Sequence, residues 1–226
     1  MSDTLYLSLW YPNLRLAALP EKLTAVLGAF AAHGGEPRVY AATAWPVSWR
    51  ESPVFQRVWG WGEQGVEPQT AVEQALELLH EDYAYEFQIG WSLWELEGPP
   101  GNAGPSTPPS PSLRSVSGSA QDDSALGKWV RGPRLVRVTG YGPLFDEGAY
   151  EQDGHIRVDF GPDTSFLEED LELDPVGAGH VAENIVQLVA LVGSLDKASG
   201  ATARLLWSEL GESLAQRLAA RLGMGN

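Results

Sequence analysis

The chain has 226 residues, 43% of them hydrophobic, with nine Trp and a formal net charge of −15. So many large apolar groups require a packed body, and so much negative charge argues against nucleic acid and anionic membranes as partners. There is no cysteine, which excludes disulfides, thiolate nucleophiles and Cys-ligated metals.

The first residues lack the basic and apolar regions of a secretory signal, and no run approaches about 18 apolar residues. A cytoplasmic chain that does not span a membrane is therefore expected.

In chain order, the alternation of Leu5, Leu7 and Leu9 predicts a first strand. Pro20 opens a helix carrying Leu23, Val26, Leu27 and Phe30 on one face, closed by Gly34 and Gly35. Residues 39–49 and 54–61 read as strands, with Pro46 at an end or edge. Thr70 and Glu73 form a capping-box pair before a helix with Val72, Ala75, Leu76 and Leu79 on one face. The clearest strand follows. Tyr85, Phe87, Ile89, Trp91 and Leu93 face one way, and Glu86, Gln88, Gly90 and Ser92 the other.

Residues 98–124 hold six prolines, seven serines and four glycines, too little apolar area to offset the entropy of ordering. A disordered insert is expected over 98–126. Beyond it, 128–141 and 155–160 read as strands. Asp174 and Pro175 start a helix striped by Val181, Ile185, Leu188, Val192 and Leu195 and ending near Gly200. Leu205 to Trp207 reads as a short strand, and Ser208 as the cap of a last helix with Leu210, Leu214, Leu218 and Leu222.

These elements predict an α+β fold: an antiparallel-rich mixed sheet with about four helices. Residues 1–97 follow the order β-α-β-β-α-β of ferredoxin-like folds. Residues 127–226 are expected to continue the same sheet, with residues 94–97 and 128–131 pairing across the insert.

No nucleotide-binding, metalloprotease, serine-hydrolase or calcium-loop motif is present. The densest chemistry is 140–174, with eleven acids and only Arg157 as a strong base. Asp146, Glu147, Tyr150, Asp153, His155 and Asp159 are the candidate acid–base set. Asp153, His155 and Asp159 are the candidate ligands for a divalent cation, since imidazole and carboxylates serve both roles. The competing reading is a solvated face of local ion pairs around Arg157. Lys128, Arg131, Arg134 and Arg137 are expected to pair with acids.

Trp59, Trp61 and Trp94 are candidates for an aromatic interaction surface. With no motif and no cofactor signature, the preferred expectation is a non-catalytic interaction or regulatory module, binding a protein partner or a second copy. The alternative is a metal-assisted or acid–base hydrolase built on 146–159.

Overall fold

The computed structural model describes residues 3–34, 38–60, 64–97, 121–124, 127–168, 172–209 and 214–224. In chain order the elements are β1 (Thr4–Trp10), α1 (Leu19–Ala29), β2 (Val39–Pro46), β3 (Phe55–Val58), α2 (Pro68–Ala75), β4 (Tyr83–Glu97), β5 (Gln121–Ser124), β6 (Gly127–Tyr141), α3 (Ala149–Gln152), β7 (Ile156–Pro162), α4 (Pro175–Ser199), β8 (Ala203–Ser208) and α5 (Leu214–Met224).

Period-two alternation decides what each strand buries. Leu5, Leu7 and Leu9 of β1, Tyr85, Phe87 and Ile89 of β4, Val136 and Val138 of β6, and Ile156, Val158 and Phe160 of β7 enter one core. Leu23 and Val26 of α1, Ala71 and Val72 of α2, Ile185 and Leu188 of α4, and Leu214 and Leu218 of α5 join it. Four helices therefore share one side of the sheet. α1 seats directly on Gly140, where a Cβ would lie 2.9 Å from Leu23 Cδ1.

Strands from both sides of the insert interleave in one sheet, ordered β3-β2-β4-β6-β7-β1-β8, with β5 also on β6. Every pairing is antiparallel. The first half is thus not ferredoxin-like, although its elements come in that order. That fold would seat β1 between β3 and β4 in the sheet. Here β1 takes both partners, β7 and β8, from the second half of the chain.

Other boundaries differ for local reasons. Pro68 supplies the fixed φ that starts α2, with Glu67 as its N-cap, so Thr70 falls inside the helix and caps nothing. Ser208 ends β8 instead of opening a helix, and Leu210 and Trp61 lie outside the described residues. Within the expected insert, residues 121–124 pair with β6 from Gln121↔Val130 to Ser124↔Gly127. That edge of β6 is open because its pairing with β7 begins only at Arg137. The expected pairing across the insert is present, from Trp94↔Arg131 to Glu97↔Lys128.

α4 starts as its sequence requires, with Asp174 Oδ1 accepting from Gly177 N at 2.8 Å. Gly200 ends it in the left-handed region at φ 77°. Among the described residues it is long and apolar enough to cross a membrane by length and composition. Its apolar stripe is nevertheless buried against the sheet.

α4 also closes an exposed edge. Pairing of β2 with β4 stops at Val39↔Ile89. Beyond it, Ser92 N donates to Gly34 O at 3.2 Å, and Gln187 Nε2 donates to Ser92 O at 3.1 Å. Asn184 then behaves like a strand residue. Its Oδ1 accepts from Trp94 N at 2.9 Å, and its Nδ2 donates to Trp94 O and to Ser165 O, each at 2.8 Å.

Asn184→Leu keeps the branched shape but leaves three buried backbone groups without their side-chain partner. It should lower stability by roughly 3 kcal/mol or more. Urea unfolding checks this, and a loss below about 1 kcal/mol would show that the clamp is dispensable.

Candidate functional site

The second face of the sheet carries no helix of the size of α1 or α4 among the described residues. The register aligns the side chains of this face in two rows, in which Ser8, Ala41, Thr43 and Thr139 are buried and Gln56, Val58, Arg137 and Leu205 are exposed. One runs Gln56, Thr43, Glu86, Thr139, Arg157, Ser8, Leu205. The other runs Val58, Ala41, Gln88, Arg137, Asp159, Tyr6, Trp207. Seven strands thus contribute to one polar and aromatic surface.

Charges of opposite sign adjoin on this surface. Arg157 Nη1 donates to Asp153 Oδ2 at 2.5 Å, and its guanidinium lies 5.4 Å from the Tyr6 ring and 5.6 Å from the Tyr141 ring. Arg137 Nη1 stands 3.9 Å from Asp159 Oδ2, while Asp159 Oδ1 accepts from Gly161 N at 2.7 Å. Tyr6 and Trp207 stack with ring centroids 4.6 Å apart. Trp207 Nε1 donates to Ser8 Oγ and Tyr6 Oη to Glu209 Oε1, each at 3.0 Å. Burial and the Glu209 bond push the Tyr6 phenol above its ordinary range.

Glu86 lies at the middle of the sheet between Thr43 and Thr139. Burial raises its carboxyl pKa, and the positive charge of Arg137 opposes that shift only in part. Burial therefore favours the neutral carboxyl there over the carboxylate, relative to water.

At one end the face is closed by loops. Trp49 meets Phe145 edge-on at 5.0 Å and Tyr141 at 6.2 Å. Asp146 N donates to Val47 O at 2.9 Å. Val47, Asp146 and Glu147 all take positive φ, at 60°, 45° and 37°, a conformation that costs non-glycine residues of order 1–3 kcal/mol each.

The candidates read from 146–159 do not converge. Asp146 and Glu147 are exposed in the turn before α3. Asp153 is turned to Arg157, and Asp159 to Arg137 and Gly161. His155 sits one residue before β7 and is buried instead of standing beside Asp159. Its Nδ1 accepts from Tyr11 N at 3.0 Å, and its ring stacks on Tyr150 at 4.1 Å. Tyr150 Oη donates to Leu14 O at 3.4 Å. Burial lowers the His155 pKa, against a smaller effect of Glu151. The neutral ring is thus a structural acceptor. Among the described residues, no group of three or more His, Asp or Glu side chains gathers to hold a metal.

Two tryptophans also need placing. Trp94 is no exposed aromatic. It is 7% exposed, stacks on His180 at 3.9 Å and donates from Nε1 to Glu183 Oε2 at 3.0 Å. Trp59 is half-buried against the core, with the Arg57 guanidinium 5.8 Å from its ring. The basic stretch on β6 is paired, Arg131 with Glu183 and Arg134 with Glu95.

No protein-family model, curated protein or solved structure matches the chain.

Glu86→Gln tests the claim made for the central carboxyl. The folded pKa lies above the unfolded one, so the folded state binds more protons and stability falls as pH rises through that window. Gln imitates the protonated form. The variant should be more stable than the parent at pH 7, and the gain should vanish as pH falls below the unfolded carboxyl value. Loss of stability at pH 7 would instead mean that Arg137 and Arg157 stabilise the carboxylate outright.

Proposed function

We propose that the chain is a non-catalytic interaction module whose partly exposed second sheet face docks a protein partner of net positive charge. The observation that carries this reading is the alignment of Glu86, Arg137, Asp159 and Arg157 in two rows across the sheet, with the Tyr6–Trp207 stack at one end. Adjoining charges of both signs specify register and orientation in a complex, and stacked Tyr and Trp supply large contact area at small entropic cost.

The sign of the partner follows from the net charge of −15. Two copies of this chain repel at long range, whereas a basic protein is attracted and steered. Polar groups on the face engage one another, and His155 is occupied by Tyr11, so a reacting pair of nucleophile and base has no support in this geometry.

Photo-crosslinking residues at positions 56 and 205, which flank one row and are exposed, report occupancy of the face inside the producing cell. Ala198, exposed on α4, is the control. Discrete adducts from positions 56 and 205 but not 198, diminished by Trp207→Ala, are expected. Adducts of equal yield from all three positions, or none from the face, would overturn the reading. A product of twice the chain mass would replace the basic partner with a second copy.

A further inference from the structure

A separate concavity lies where the chain leaves β1. It has a volume of about 280 Å³ and is lined by Tyr11, Leu14, Arg15, Ala18, Lys22 and Gly200 among others. The floor is fixed. Tyr11 is 4% exposed, its backbone N is held by His155 Nδ1, and its Oη donates to Ser199 Oγ at 3.0 Å. Pro12, Leu14 and Ala18 supply apolar wall, Asn13 adds a polar side chain, and the two charged lining groups, Arg15 and Lys22, are both cations.

Most arginines among the described residues have a carboxylate partner. Acids outnumber strong bases by 30 to 15. Arg131, Arg134, Arg157, Arg204 and Arg217 each have a carboxylate partner. Arg15 is exposed and, like Arg50 and Arg57, has no carboxylate partner among the described residues. Lys22 Nζ has Glu21 Oε1 at 3.2 Å, but that side chain is 77% exposed, and such a pair is worth about 0–1 kcal/mol. Lys22 also faces the end of α4, since a Cβ at Gly200 would lie 3.7 Å from its Nζ. It therefore has a structural duty at a helix C-terminus. Arg15 has none.

We propose that this concavity binds a small oxyanion carried on an apolar body, a carboxylate or phosphate monoester whose charge pairs with Arg15 and whose ring or chain lies against Tyr11 and Leu14. A planar guanidinium matches both headgroups bidentately, and the volume admits a fragment smaller than a drug-sized ligand. The site is independent of the second sheet face and stands or falls separately from it.

NMR titration of the full chain with phenyl phosphate and with benzoate tests the proposal, at constant ionic strength made up with chloride. Phenol serves as the uncharged probe. Saturable shifts are expected for residues 11–22 and around Gly200, with Kd on the order of 1 mM. The headgroup that binds more tightly identifies the source. Arg15→Ala should weaken binding about tenfold or more without lowering the melting temperature, because its side chain supports nothing else. Lys22→Gln should weaken binding and also lower the melting temperature. Arg50→Ala, an exposed cation between β2 and β3, should change neither. Shifts that never saturate, that phenol reproduces, or that persist unchanged in Arg15→Ala would overturn the proposal.

Discussion

The register between β4 and β6 governs the rest of the molecule. These strands are fifteen residues each and pair at fourteen positions, from Ala84↔Tyr141 to Glu97↔Lys128. Side chains alternate strictly, so a slip of one residue would send Tyr85, Phe87 and Ile89 to solvent and Glu86 and Gln88 into the core. β2 and β7 are built outward from this ribbon, and β1 and β8 from β7. The same register that buries Trp91 among Phe30, Phe160 and Phe166 sets Arg137 beside Asp159 on the opposite face.

Length mismatch creates a second constraint. β4 outruns β2, and its bare edge would be an invitation to aggregate. α4 answers with two polar side chains one turn apart, Asn184 and Gln187, in a helix that otherwise buries an aliphatic stripe. Asn184 thereby fixes where α4 lies against the sheet. Gln187 Nε2 also donates to His33 O, which ties the end of the first helical segment to the same place. The helical side is held in this way, and the other face is left to its two rows of polar and aromatic groups.

Much of the local structure was legible. Leu5, Leu7 and Leu9 announced β1, and the Asp174–Pro175 pair announced α4. Beyond the β4–β6 pairing across the insert, strand order was not legible, because periodicity says which face a residue takes and nothing about its neighbour. Leu5 pairs with Ser208, some two hundred positions away in the chain, and no local signal encodes that. The second face was hidden for the same reason. Glu86 and Gln88 were visible as the polar side of one strand, but their alignment with Arg137, Asp159 and Tyr6 exists only after the strands are ordered. His155 misled because it borders a strand. Gly154 at φ 96° redirects the chain, with its backbone against Leu9, and turns the imidazole between Tyr11 and Tyr150. Of the acids around it, Asp146 and Glu147 are exposed, Asp153 pairs with Arg157, and Asp159 faces Arg137 and Gly161.

Thiol labelling of adjacent positions tests the central ribbon most directly, since the chain has no cysteine of its own. Arg137→Cys and Val138→Cys place a thiol on either face of β6. The account predicts that position 137 reacts with an alkylating reagent at nearly the rate of a free thiol, and that position 138 reacts only as fast as the protein unfolds. Rapid reaction at 138 with protection at 137 would mean a slipped register. Protection at both would mean that the second face of the sheet is covered.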